Sequence, residues 1–161
     1  MTLLNREETA RRATEARDAG KIVVFTNGCF DLLHSGHVTL LEVSAGEGDL
    51  LLVGLNSDSS VRRLKGVGRP VQPEAERAEA LLDVEAVNVV TIFSEDTPLE
   101  LIESIKPDVL VKGGDYSKDE IVGSDIVLSR GGEVVRVPLI EGISTTRIIK
   151  ERVGKDSTKR T

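Results

Sequence analysis

Lys21-Ile22-Val23-Val24-Phe25-Thr26-Asn27-Gly28-Cys29-Phe30-Asp31-Leu32-Leu33-His34-Ser35-Gly36-His37 decides how this chain folds. Its first six residues form a short run rich in β-branched side chains, which reads as a buried strand. Asn27 to Asp31 make a turn, and a helix starts near Ser35 and runs to about Ala45. Strand, turn and helix in that order is how an α/β fold begins.

The same alternation continues on both sides of this stretch. Residues 5–19 are charged and alanine-rich, closed off by Gly20, and read as an N-terminal helix within residues 1–20. Leu50–Leu55 is a second strand, after which Asn56-Ser57-Asp58-Ser59 caps a helix over Val61–Leu64. Residues 65–73, with two Gly, two Pro and two basic residues, form the longest loop and read as a mobile flap. Pro73 opens a helix through Glu85. Asn88–Phe93 is a third strand, followed by a helix over Pro98–Ile105, with Glu95-Asp96-Thr97 as its cap. Asp108–Val111 is a fourth strand, and Ile121–Ser129 a short helix. Glu133–Val137 is a fifth strand, and Ser144-Thr145-Thr146 cap a last helix to about Arg152. The expected architecture is a single Rossmann-like, doubly wound, mostly parallel five-stranded sheet over residues 1–152, with a polar tail over 153–161.

Composition agrees. The chain has 161 residues, the size of one ordinary domain, and Leu, Val and Ile supply 48 of them. Aromatics are 2% with no Trp, so the core is aliphatic, as in a sheet buried on both faces. Lys plus Arg number 21 against 27 Asp plus Glu, a net charge of −6 that argues against nucleic acid as a partner. Local basic residues can still grip a small phosphorylated ligand. The single cysteine, Cys29, excludes an internal disulfide framework and a structural zinc knuckle. No apolar run is long enough for a signal peptide or a membrane span, so a cytoplasmic protein is expected.

Segments rich in Gly, Asp, Ser and Thr follow the first, second, fourth and fifth of these strands and so converge on one sheet edge. Both histidines of the chain, His34 and His37, lie there, three apart. Two imidazoles beside a helix N-terminus make an anion site whose N–H donors suit charge developing on a phosphoryl group. Thr26-Asn27-Gly28 leads into that turn, with a glycine where backbone can approach a ligand, and Gly36 sits between the histidines. The alternatives are a histidine that caps the helix and another that packs in the core. Two histidines are half a zinc site, and no further ligand is evident. Cys29 reads as a small residue in a tight loop rather than a nucleophile. Ser144-Thr145-Thr146, with Arg147 beside them, form a second phosphate-binding candidate at a helix start.

These residues carry a resemblance. Gly28-Cys29-Phe30-Asp31-Leu32-Leu33-His34-Ser35-Gly36-His37 resembles the signature of the cytidylyltransferase-like nucleotidyltransferases, and Ile143-Ser144-Thr145-Thr146 resembles their second motif. Asn56-Ser57-Asp58 with Arg63-Leu64-Lys65-Gly66, Arg69-Pro70-Val71, Glu95-Asp96-Thr97-Pro98 and Val111-Lys112-Gly113-Gly114-Asp115-Tyr116 resemble the D-glycero-β-D-manno-heptose 1-phosphate adenylyltransferases. The resemblance implies that a sugar 1-phosphate oxygen attacks the α-phosphorus of ATP, giving ADP-heptose and pyrophosphate. It implies His34 and His37 on the triphosphate, and backbone at Cys29 and Phe30 against phosphate. It places Ser144, Thr145 and Thr146 on the β- and γ-phosphates, and Lys65 as a bridge between sugar phosphate and α-phosphate. Arg77 would reach the triphosphate, although it can equally pair with Glu74 or Glu76. Asp31, Asn56, Asp58, Lys112, Gly113 and Asp115 would position nucleotide or sugar, with Asp58 reading equally well as a helix cap. Magnesium is implied, held chiefly by phosphates and water. A homodimer is expected, with a separate sugar kinase supplying the substrate. The readings that compete are a cytidylyltransferase acting on glycerol 3-phosphate or a similar alcohol phosphate, and a nucleotide-binding regulatory module without turnover. A class I aminoacyl-tRNA synthetase shares the histidine turn but needs a longer chain and a basic surface.

Overall fold

A computed structural model describes residues 2–114, 121–137 and 151–154. The strands are β1 (Thr2–Leu3), β2 (Val23–Gly28), β3 (Leu50–Asn56), β4 (Val89–Phe93), β5 (Val109–Gly113), β6 (Glu133–Val137) and β7 (Glu151–Gly154). The helices are α1 (Arg6–Asp18), α2 (Ser35–Ala45), α3 (Asp58–Lys65), α4 (Glu74–Leu82), α5 (Leu99–Ile105) and α6 (Ser124–Ser129). They build one sheet in the order β1-β4-β3-β2-β5-β6-β7, parallel throughout except for the antiparallel β6–β7 pair.

Every residue of β3 is buried, as a central parallel strand covered on both faces requires. On one face Val24, Leu51, Val53 and Leu55 pack with Leu40 and Leu41 of α2 and with Ala78 and Leu81 of α4. On the other, Val23, Phe25, Leu50 and Leu52 pack with Ala13 of α1, Leu101 and Ile102 of α5, and Val127 of α6. Alternate residues of each strand serve opposite layers, which is the period-two rule of a pleated strand. From β2 the chain winds outward through β3 to β4, then returns to β5 on the other side of β2. The topological switch between β2 and β5 opens a crevice at the carboxyl ends of the strands.

The sheet differs from the expected five strands by one short strand at each edge. Amide donation from Thr2 to Asn88 O and from Leu4 to Val90 O, both at 3.0 Å, lays β1 along the open side of β4. At the far edge, residues 151–154 form β7 where the end of a helix and the start of a loose tail were expected. Arg152 explains the strand. It ion-pairs with the buried carboxylates of Glu47 at 2.8 Å and Glu133 at 3.3 Å, and buried charges need such a partner. The expected residues Asp115, Ser144, Thr145 and Thr146 lie outside the described residues.

Candidate active site

The crevice contains a cavity of about 500 Å³. Its floor comes from the ends of β2 (Asn27, Gly28), β3 (Asn56) and β5 (Lys112, Gly113). Cys29, Phe30, Asp31 and His37 form one wall, and Lys65 and Arg69 of the flap form another. The sheet edge thus brings together most of the residues that the sequence had singled out.

The two histidines are organised by the helix they begin. His34 is the N-cap of α2, and its Nδ1 accepts from the Gly36 amide at 3.1 Å. His37 Nδ1 accepts from the His34 amide at 3.2 Å. These bonds satisfy amides that a helix start leaves open. They also settle the tautomer: an Nδ1 that accepts carries no proton, so each neutral ring holds its hydrogen on Nε2. The rings stack with centroids 3.8 Å apart and 23° between planes. His37 is half-buried on the cavity wall, while His34 is exposed on its outer side. Burial, then the neighbouring His34 and Lys65, lower the His37 pKa to about 4. At neutral pH His37 therefore offers an uncharged N–H donor.

The loop before the helix is tightly constrained. Phe30 is buried at φ 47° and Leu32 sits at φ 60°, both in the left-handed region that costs a non-glycine residue of order 1–3 kcal/mol. The Phe30 ring meets His37 edge-on at 5.5 Å and holds its plane. A Cβ at Gly28 would lie 3.1 Å from the Phe30 ring, and one at Gly36 would lie 2.9 Å from His34 Cε1, so a side chain at either position would press on the ring beside it.

Arg77 differs from the expectation of a triphosphate contact. It is fully buried beneath the cavity, and it pairs with neither Glu74 nor Glu76. Its Nη1 donates to Cys29 O at 2.8 Å and Asn56 O at 2.7 Å, its Nε to Gln72 O at 2.9 Å, and its Nη2 to Asp58 at 2.7 Å. The guanidinium clamps the histidine loop, the end of β3, the flap and α3 together. Asp58 is accordingly the counter-charge of Arg77 and does not line the cavity, and the cap of α3 is Ser57. Thr26 also departs from expectation: it is fully buried within β2, and its hydroxyl has no hydrogen-bond partner among the described residues.

Asp31 faces the flap. It accepts from Arg69 Nε at 3.0 Å, Val71 N at 2.8 Å and Gln72 N at 3.0 Å. Burial pushes this carboxyl up, but the Val71 and Gln72 amides and Arg69 outweigh it and hold it below the usual carboxylate range. Leu32 N donates to Gln72 Oε1 at 3.0 Å, so the loop that the sequence suggested as a mobile flap is fastened at its Gln72 end. Asn56 donates to Ser60 Oγ at 3.0 Å, which fixes its amide on the floor. Lys112 is half-buried in the cavity, where burial lowers its pKa against the opposing effect of Cys29.

Asp96, Thr97 and Pro98 also line the cavity; from sequence their stretch read as a helix cap and as part of the resemblance, with no site role. They follow β4, the one central strand whose trailing loop was left out of the converging set, and its position on the same sheet edge is the signal that finds them. Arg63 holds this loop, through Asp96 at 2.7 Å and the Ser94 carbonyl, and Arg6 holds it through Glu95 at 2.6 Å.

A parallel sheet with a histidine-capped helix at its switch point has counterparts. Residues 25–151 match the cytidylyltransferase-like family. The chain belongs to the cytidylyltransferase-like family. Among cytidylyltransferase-like relatives, the bifunctional protein HldE of Gluconobacter oxydans is 55% identical over 144 residues, 89% of this chain and 30% of that protein. The bifunctional protein HldE of Rhodopseudomonas palustris (strain BisB5) is 57% identical over 140 residues, 87% of this chain and 29% of that protein. The chain thus spans about 30% of the length of these curated relatives. The lipopolysaccharide core biosynthesis protein of Thermoplasma volcanium superposes with a TM-score of 0.62 at 28% identity, covering 75% of this chain and 98% of that one. Pantothenate synthetase of Thermus thermophilus superposes with a TM-score of 0.60 at 19% identity, over 90% of this chain and 66% of that one, and shares the fold.

Proposed function

We propose that the protein transfers AMP from ATP to D-glycero-β-D-manno-heptose 1-phosphate, releasing pyrophosphate and forming ADP-heptose for a surface glycan such as lipopolysaccharide. The observation that carries this reading is the pair of stacked Nε2–H imidazoles, fixed by the α2 cap beside a cavity lined by Lys65, Arg69 and Lys112. Similarity to the HldE proteins and to a lipopolysaccharide core biosynthesis protein supports the choice of reaction.

The sugar phosphate oxygen bonds to the α-phosphorus, and the bond from that phosphorus to the bridging oxygen of the β-phosphate breaks. Little covalent chemistry is asked of the protein, which positions the partners and neutralises charge. His37 and His34 donate through Nε2 to non-bridging oxygens as negative charge grows. Lys65 spans the two phosphates, and Asn27, Gly28, Cys29 and Phe30 line the approach of the nucleotide phosphates. Lys112 and Gly113, with Asp115, Ser144, Thr145 and Thr146 by resemblance, complete nucleotide binding. The carboxylates of the described cavity wall, Asp31 and Asp96, are engaged with Arg69 and Arg63, and no cluster of three His, Cys, Asp or Glu forms among the described residues. A magnesium ion bound with the triphosphate would be held chiefly by phosphate oxygens and water and would offset charge on the leaving pyrophosphate. A cytoplasmic homodimer supplied with its sugar phosphate by a sugar kinase belongs to the same reading. Among the described residues no helix is long and apolar enough to cross a membrane.

The test is pyrophosphate release with magnesium, crossing ATP and CTP against the heptose 1-phosphate and glycerol 3-phosphate, with His37→Ala as control. Release with ATP and the heptose alone is expected, and His37→Ala should lower kcat roughly 10²–10³-fold, as for loss of a preorganised donor. Release with CTP and glycerol 3-phosphate would replace the substrates, and ATP binding with no release in any combination would favour a regulatory module.

A further inference from the structure

Arg69 is held differently from the other guanidinium groups around the cavity. Arg77 is saturated by carbonyls and a carboxylate, and Arg63 is committed to the 94–98 loop. Arg69 is tied through Nε alone, to Asp31 at 3.0 Å, and has no second partner among the described residues. The pair is lopsided: the Asp31 side chain is 2% exposed and that of Arg69 is 41% exposed. The Val71 and Gln72 amides fix the carboxylate from below, so Asp31 is an immobile anchor and Arg69 its solvent-facing partner. A guanidinium anchored at Nε keeps its two Nη groups as an oriented fork, the shape that matches two oxygens of one phosphate. Arg69 lines the same cavity as Lys65 and His37.

We propose that Arg69 is a phosphate-binding residue of the site, set in its binding orientation by Asp31. The proposal rests on the transferase reading, under which the phosphate belongs either to the sugar 1-phosphate or to the nucleotide. Partial neutralisation by Asp31 makes Arg69 an oriented pair of donors rather than a long-range attractor, so its contribution falls on affinity for one substrate.

The experiment compares wild type with Arg69→Gln, Arg69→Lys and Asp31→Asn. Initial rates are measured while ATP and the sugar 1-phosphate are varied separately. Calorimetric titrations with ATP and with inorganic phosphate need no turnover. Arg69→Gln should raise the KM of one of the two substrates roughly 10- to 100-fold, the range for a charge-assisted hydrogen bond, and which substrate it is identifies the source of the phosphate. The matching titration should weaken with it, ATP for the nucleotide or inorganic phosphate for the acceptor. Arg69→Lys should recover only part, because it restores the charge without the fork. Asp31→Asn should raise the KM of the same substrate. Both KM values and both affinities within twofold of wild type in a folded Arg69→Gln protein would overturn the proposal, as would Asp31→Asn acting on the other substrate. A wild-type protein that fails to use the sugar would refute the transferase reading, while the titrations would still decide the role of Arg69.

Discussion

Replacing Arg77 with Met keeps an unbranched stem in place and removes a buried guanidinium. Three carbonyls and one carboxylate lose their donor. Asp58 is 39% exposed, so water takes over there and the loss is below about 1 kcal/mol. Asn56 is 4% exposed, and its orphaned carbonyl costs about 1–3 kcal/mol. Cys29 and Gln72 are half-buried, and partial hydration limits each to about 1 kcal/mol. The sum is about 3–6 kcal/mol. For a domain of this size it corresponds to a fall in Tm of about 6–24 °C. Circular-dichroism melts of wild type, Arg77→Met and Arg77→Lys measure this directly. The lysine variant should recover less than half, since one ammonium cannot reach four acceptors in three directions. Below its melting temperature the methionine variant should also lose kcat, because the histidine loop and the flap no longer share a fixed point. A Tm within about 2 °C of wild type would refute the clamp.

The low pKa of His37 sets a pH dependence. Its folded value of about 4 lies below the ordinary 6.5, so the fold favours the neutral ring. That stability is fully present above pH 6.5, declines as the pH falls, and is gone below about 4. Urea titrations against His37→Gln over this window should show the difference shrinking with acid, and the His37 Cε1 proton resonance should titrate near 4 rather than 6.5. Gly36→Ala should displace the His34 ring, met by the new Cβ at 2.9 Å, and lower kcat up to about 10²-fold. An unaltered kcat would mean that the ring stack does not contribute to turnover. Lys65→Ala should raise the KM for the sugar phosphate more than that for ATP, and equal losses in separate titrations would contradict its bridging role.

What was legible from sequence follows from local physics. The α2 boundaries were readable because the cap, the turn and the apolar face lie within one short stretch. So were β3, as a compact leucine-rich apolar run, and β6, as a valine-rich one. The histidine turn was readable as an anion site for the same reason. Arg77 was not, because three of its four acceptors are backbone carbonyls 48, 21 and 5 residues away, which carry no side-chain signal. Asp31 resembled a turn residue until the 38-residue separation from Arg69 was closed by the fold. The edge strand β1 has two residues and no pattern of its own, and exists through the exposed side of β4. β7 is fixed by Arg152 meeting two buried glutamates from distant segments, a pairing without local periodicity.

The α2 cap uses the same two imidazoles that the proposed reaction sets against phosphate, and this joins two properties that proteins usually keep apart. The amides of Gly36 and His34 are protected only while the ring nitrogens are aimed correctly. Fraying of the first helical turn and misalignment of the phosphate donors are therefore a single event, and hydrogen exchange at those two amides reads out the competent population. Mutations elsewhere that loosen the start of α2 will register as lost turnover before they register as lost helix.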